Sequence, residues 1–499
     1  MKYISLNNDE TVSLKKIPNH SYKEFRDINL GLLEADPANH CVNYFAYKIA
    51  NEIKLICCIA DDHNHKILVS SCLLEELNDL PSFSAVNHNF EKFEREIYEN
   101  FGIKYIDHPW LKPLRYAYNR ADKSNEIQNY PFYTVDSEEL HEVGVGPIHA
   151  GVIEPGHFRF ICNGEQIMHL EIQLGYQHRG IEQLFLEKKK LLERSTIAES
   201  IAGDTVVGHS VAFVNLWESL CNFKTNFPLD FARTLALELE RIAIHTGDMA
   251  AICADIGYQL GNSVYGRLRT PIVNFFQEWC GNRLAKGLIR AGKINYPFTS
   301  ELAKRLEDLF IEYLADYKEM TRQLFRLPSA LSRMEKTGVV SKSEALEIGA
   351  VGLTARASGV NRDIRYSHPF NLYCSYSHLP IVKNHGDVYA RVRIRNEEIL
   401  QSIEFIRELI KTIPEFEKPR NFESSPAPDS FSISLVEAWR GEICHCAITN
   451  EKGDLILYKI KDPSHHNWMA LAQAVRNNEI SDFPICNKSF NLSYCGHDL

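Results

Sequence analysis

The 499-residue sequence holds thirteen cysteines, yet no two of them stand in a C-x-x-C pair, so the commonest presentation of a metal–thiolate site is missing. No run approaches the roughly 18 apolar residues a membrane-spanning helix requires. The opening Met1–Glu10 also lacks a charged stretch followed by an apolar one. The expectation is a cytoplasmic chain. Positive charge is outnumbered, 55 Lys and Arg against 65 Asp and Glu, for a net charge of −10. Such a surface has no general attraction for phosphate backbones, which excludes nucleic acid as a partner. No internal repeat, low-complexity tract or glycine-rich strand–turn–helix fingerprint is present, and without the last there is no NAD site to infer. The cysteines are scattered and include the adjacent Cys57 and Cys58, which does not read as a disulfide framework. They are expected to be reduced.

What is present is an ordinary globular balance, 44% hydrophobic and 24% charged, in a length suited to two or three domains. An α+β architecture is expected. Short β-rich runs (Ile53 to Ala60, Lys66 to Ser71) and the amphipathic stretch Phe90 to Phe101 predict a small α/β domain over residues 1–119. The polar stretch Arg120 to Asn129 lies in a linker spanning 120–140. Residues 141–499 open with a glycine-punctuated β-layer, continue as a long-helix bundle from about Gly180 to Leu327, and return to strands over Phe431 to Ile460, with a hairpin turn at Asn450 to Asp454. Asp387 to Ile413 predicts a helix with an exposed charged face carrying Arg391, Arg393, Arg395, Glu397 and Glu398.

Several segments bear chemistry-capable residues in a recognisable order. Glu94 to Pro109 reads EREIYENFGIKYIDHP, and Gly146 to Glu182 contains GPIHAGVIEPGHFRF and YQHRGIE. Further on come LELERIAIHTGD at 237–248, RASGVNRDIRYSHP at 356–369 and VEAWRGEICH at 436–445. The first segment resembles the 30 kDa-type subunit of respiratory complex I. The others resemble the large subunits of nickel–iron hydrogenases and the homologous 49 kDa subunit of complex I. The arrangement is most similar to membrane-bound, energy-converting hydrogenases of the formate hydrogenlyase type, in which a 30 kDa-like domain is fused in front. The resemblance implies a small α/β domain, then a hydrogenase-large-subunit-like domain with a helix bundle and peripheral sheets.

The departures from that family decide the function. Its nickel is held by two C-x-x-C pairs, whose thiolates make a soft, electron-rich site. The first pair falls on Ser200 to His209 (SIAGDTVVGH), with Ala202 and Thr205 at the thiol positions. The second falls on Asn491 to Gly496 (NLSYCG), with Ser493 and Gly496. No ligand remains, and a Ni–Fe centre is not expected. Cys495 is one position off. Quinone reduction in the complex I branch uses a His and a Tyr whose positions fall near Pro155 and Phe213, neither a proton donor, although His149 or His157 in the same turn, with His209, could face the cavity. Glu182 matches the R-G-x-E glutamate that relays protons in hydrogenases. Arg440 matches the arginine above the metal. On residue types alone, the favoured reading of Glu182 is a helix-start carboxylate paired with Arg179.

Asp363, Arg365 and His368 match a family run read here as structural, and His245, with Asp248 three residues on, reads as a satisfied core histidine. Strand alternation places Cys444 and Cys446 on one face and His445 on the other. A substitute metal site drawing in Cys486, Cys495 and His497 lacks ligand spacing, and small-hydrophobe roles are simpler. The resemblance therefore implies an oxidoreductase subunit, peripheral at the inner face of the cell membrane. It would bind no redox centre itself, but sit beside a small Fe–S subunit, another hydrophilic subunit and antiporter-like membrane subunits, and couple electron transfer, with quinone as a possible acceptor, to ion movement. A catalytically silent scaffold and an active nickel–iron hydrogenase are the alternatives.

Overall fold

A computed structural model describes the whole chain except residues 75–78, 150–153, 377, 419–421 and 423–424. It is 45% helical and 19% strand, with long helices and small sheets, an α+β fold. In the N-terminal part, the strands Ile4–Leu6, Lys66–Leu74, Glu52–Asp61 and His40–Ile49 form an antiparallel sheet in that order, and Asn19–His20 adds in parallel to Lys66–Leu74. The helices Tyr22–Ala35 and Glu91–Phe101 supply the rest of this part. Because side chains alternate along a strand, the sheet has two buried faces. Leu55, Cys57 and Ile59 pack in a local core with Phe25, Phe83 and Phe93, whereas Ile56, Cys58 and Ala60 join the main core of the molecule. The adjacent cysteines thus face opposite ways as small buried hydrophobes, and all thirteen cysteines are free thiols.

The main body is built on the helix Phe227–Asp255, started by Pro228 in its first turn and by the Asn226 side chain accepting from the Leu229 N–H. The apolar recurrence over Ala232 to Met249 lies inside it, and nearly all of its residues are buried. The helices Val206–Leu220, Gln259–Cys280, Ser300–Leu324 and Val388–Leu409 complete the bundle. Two sheets flank it. His141–Val145, His157–Asn163 and Gln166–Gln173 form the expected β-layer. The other runs Leu455–Lys461, Glu442–Thr449, Ser430–Glu437 and, at its edge, Glu10–Ser13 from the far end of the sequence. The hairpin falls at Asn450–Asp454, where Gly453 takes φ +80°, a backbone state glycine reaches without strain.

The charged face expected on Asp387 to Ile413 is not a solvent face. The helix is there, but Arg391, Arg395 and Glu398 are buried at 1% exposure or less. Each has a partner from a distant segment: Arg395 with Asp248 at 2.8 Å, Arg391 with the Gly338 and Gly386 carbonyls and Ser489, and Glu398 with Arg356 at 2.6 Å. Only Arg393 and Glu397 of the five stand at the partly exposed side.

Around Glu398 lies a buried ionic cluster. Arg356 reaches Glu398 and Glu437 (2.7 Å), Arg365 reaches Asp363 (2.7 Å) and Glu398 (3.0 Å), and Arg241 reaches Glu238 (3.2 Å). His245 pairs with Glu398 at 2.7 Å, not with Asp248, whose carboxylate is taken by Arg395. Arg356, Arg365 and Arg241 hold the Glu238 and Glu398 carboxyls low against the burial that would raise them. His368 is buried against the N-terminal sheet, where Lys66 O and Asp62 approach its ring.

Candidate functional site

The four positions that would carry thiolates come from two places in the fold. Ala202 and Thr205 lie in the turn that starts the helix Val206–Leu220, and Ser493 and Gly496 lie at the start of the short helix Tyr494–Asp498. Arg440 ties the two together from the tight turn between the strands Ser430–Glu437 and Glu442–Thr449. Its guanidinium donates to Thr205 Oγ1 (3.1 Å), to Asp204 Oδ2 (2.7 Å) and to the Asn491 carbonyl (2.7 Å). Trp439 donates its indole N–H to Thr205 Oγ1 and to the Asp204 carbonyl, beneath the Arg440 guanidinium. At Gly496 a β-carbon would stand 2.7 Å from Asp462 Oδ2.

A nickel–iron group does not fit this arrangement. Ala202 and Gly496 offer no donor atom, and the Thr205 hydroxyl oxygen is occupied by N–H groups of Trp439 and Arg440. Any side chain at position 496 would collide with a carboxylate. The remaining cysteines do not rebuild a site. Cys444 and Cys446 lie 3.7 Å apart beside Asn43, on the face opposite His445, Cys486 packs near Gly338, and Cys495 Sγ lies 3.9 Å from Glu154.

In place of metal ligands there is a chain of titratable groups. Asp462 Oδ2 is 3.2 Å from His209 Nε2, His209 Nδ1 is 3.1 Å from His445 Nε2, and His445 Nδ1 is 2.8 Å from the Tyr458 hydroxyl. Burial keeps Tyr458 protonated and His445 neutral. One assignment then satisfies every atom: Tyr458 donates to His445, His445 to His209, and His209 to Asp462. Burial would raise the Asp462 carboxyl, but the His209 hydrogen bond and the Arg440 charge outweigh it and hold it at about 2. A row of this kind passes a proton by exchanging tautomers in sequence.

The far end of that row, Tyr458, lines a cavity of about 770 Å³ between the N-terminal sheet and the main body. Glu182 lines it too. Its carboxylate accepts from the Ile460 N–H at 2.9 Å and pairs with Lys459, which also pairs with the buried Glu96. Glu96 in turn is held by Arg115 at 2.7 Å. The Arg179 pairing expected for Glu182 is not made: Arg179 donates to the Ser200, Ile201 and Cys495 carbonyls. Glu182 and Arg440 thus belong to two separate clusters; the Arg440 charge acts on Asp462 at one end of the row, and Tyr458 at the other end lines the cavity that Glu182 also lines. His209 is a member of that row. His157 instead packs its ring at a tilt against Phe132, with centroids 4.8 Å apart, and His149 is exposed. Phe213 fills space against Phe185 and Trp217.

Sequence reasoning missed Asp204, Asp462, Tyr458 and Glu154, which accepts from the Cys495 N–H. It also missed Glu240, whose carboxylate takes the Val207 and Gly208 N–H groups left open at a helix start. Burial raises Glu240 from 4.5 to about 8. The folded chain therefore keeps a proton that the unfolded chain releases, so stability falls as pH rises from 4.5 to about 8, by about 3 kcal/mol at neutral pH. Glu240→Gln is expected to remove that part of the pH dependence and to melt higher than the parent at about pH 8 but not at about pH 5. Identical pH slopes in both proteins would show that Glu240 titrates normally.

Comparison with known proteins gives two family matches. Residues 25–125 match the family described as respiratory-chain NADH dehydrogenase, 30 Kd subunit, and residues 255–425 match the 49 Kd subunit. Hydrogenase-4 component G of Escherichia coli (strain K12) is 26% identical, over 78% of this chain and 67% of its own length. The fused C/D polypeptide of the NADH-quinone oxidoreductase of Phocaeicola vulgatus is 28% identical, over 77% of this chain and 80% of its own. A chain of the membrane-bound sulfane sulfur reductase, an archaeal respiratory membrane complex, superposes with a TM-score of 0.68 at 21% identity, over 74% of this chain and all of the other, a likeness of fold.

Proposed function

Since the chain belongs to the family of the 30 kDa and 49 kDa subunits of respiratory-chain NADH dehydrogenase, to which hydrogenase subunits are also related, we propose that it is the large hydrophilic subunit of a membrane-associated, complex I-like or hydrogenase-related assembly. In this subunit the ancestral metal position has become a proton-bearing junction. The observation that carries the reading is that Ala202, Thr205, Ser493 and Gly496 stand at the four thiolate positions, while beside them Arg440 pairs with Asp204 and Asp462 continues through His209 and His445 to Tyr458 at the Glu182 cavity. Electrons would come from an Fe–S cluster in a partner protein, and the acceptor, for which a quinone is the candidate, would be reduced outside the closed junction. Coupling to ion movement would fall to membrane subunits, since among the described residues no helix is long and apolar enough to cross a membrane.

The test is elemental analysis of the purified complex with a dye-linked hydrogen-uptake assay. Iron without stoichiometric nickel, and no hydrogen uptake, is expected. Nickel near one per chain with dye reduction would overturn the reading. Within the active complex, Glu182→Gln is expected to lower turnover by about tenfold to a hundredfold while the subunits still co-purify. Full activity in that variant would remove the proton role of the cavity and favour a silent scaffold, a reading that the closed metal position also suits.

A further inference from the structure

A second cavity, of about 410 Å³, lies where the helices Phe227–Asp255 and Gln259–Cys280 pack together, with Arg283 and Leu284 of the chain that follows among its walls. Its size is that of a small-ligand site. Two glycines make the room. The stem of Arg269 lies over Gly247, where a β-carbon would stand 3.0 Å from Arg269 Cδ and 3.2 Å from its Nε. At Gly266, which also lines the cavity, a β-carbon would meet nothing within 4 Å, so the cleft is open there.

The walls carry positive charge without its complement. Among the described residues, Arg269 is the only arginine that is not exposed and yet has neither a hydrogen-bond acceptor nor an ion-pair partner. Its Nε is sealed from solvent, whereas its two terminal nitrogens remain reachable. Arg283, exposed on the same cleft, has no such partner either, and no Asp or Glu is among the described lining residues. A smaller recess shares Arg269, Val273 and Arg283 with the cleft and reaches Asp204 and Glu240. Asp204 is paired with Arg440 at 2.7 Å, and burial raises the Glu240 carboxyl to about 8, so at neutral pH neither supplies the two arginines with a free negative charge. A guanidinium drawn this far out of water is ordinarily matched by an anion.

We propose that this cleft binds the phosphate group of an organic phosphate monoester, with the Arg269 and Arg283 guanidiniums on the phosphate oxygens and Ala250, Val273 and Leu284 against the organic part. Two guanidiniums match the charge of such a group, about −2 at neutral pH, and the fork of N–H donors on each matches the spacing of its oxygens. The source is either a soluble phosphate ester or a phospholipid headgroup that ends in phosphate.

Two measurements on the full chain test this: calorimetric titration with phenyl phosphate and with benzyl alcohol, and co-sedimentation with phosphatidylcholine vesicles with and without phosphatidic acid. Saturable binding of phenyl phosphate names a soluble ester, and sedimentation that requires phosphatidic acid names the lipid. In either case Arg283→Gln, which changes an exposed side chain with no hydrogen bond or ion pair to lose, is expected to weaken binding about tenfold, and Arg269→Gln by about tenfold to a hundredfold. Gly266→Leu, which puts a side chain into the open part of the cleft, is expected to abolish it. Should Arg269→Gln fail to fold, the other two variants carry the test. Binding of neither phosphate probe, binding indifferent to Arg283→Gln and Gly266→Leu, or equal binding of benzyl alcohol would overturn the proposal.

Discussion

Glu398→Ala is expected to destabilise the protein by about 3–5 kcal/mol, because it strips one carboxylate from a fully buried cluster and leaves Arg356 and Arg365 without it. Glu398 also holds His245 at 2.7 Å, so the helices Phe227–Asp255 and Val388–Leu409 lose a direct tie between them. The same reasoning gives the cluster little net worth against a hydrophobic replacement, since desolvating its charges cancels most of their attraction. Chemical denaturation of parent and variant measures the loss, and a change below about 1 kcal/mol would show that the arginines find solvent or other partners.

Gly352→Ala is expected to cost about 2–4 kcal/mol and to displace Arg440. Gly352 has φ +60°, and a β-carbon there would stand 2.3 Å from Gly441 Cα and 2.5 Å from the Arg440 carbonyl oxygen. Both obstacles are backbone, and Gly441 is itself at φ +141°, so neither strand of the contact can swing aside. The two glycines set how far Arg440 reaches toward Asp204 and Asn491. Gly31→Ala is the control. That glycine lies in the helix Tyr22–Ala35 with nothing within 4 Å, and alanine there is expected to stabilise by about 0.5–1 kcal/mol. If the Gly352 variant unfolds at the same denaturant concentration as the parent, the contact is looser than its geometry.

What is legible in the sequence is whatever depends on near neighbours. The apolar recurrence in Ala232 to Met249, the turn at Gly453 and the alternation that separates His445 from Cys444 and Cys446 are local patterns, and each appears as read. The charges of Arg391, Arg395 and Glu398 mislead because composition along one helix carries no record of partners far away in sequence. Arg395 waits for Asp248, and Glu398 for Arg356. Tyr458 and Asp462 carry no signal for the same reason, since they matter only where His209 and His445 meet them. The four positions at which the resemblance places thiolates can be read from the sequence, but the side chains that meet beside them cannot.

The strand Glu10–Ser13 belongs, by sequence, to the first sheet's neighbourhood, yet it closes the edge of the last one beside Ser430–Glu437. During synthesis this edge stays unsatisfied until almost the whole polypeptide has left the ribosome. The N-terminal segment must then be kept from pairing elsewhere for that interval. The molecule is therefore laced shut from both ends, and a protease cut within residues 120–129 would leave the two pieces buttoned together rather than set them free.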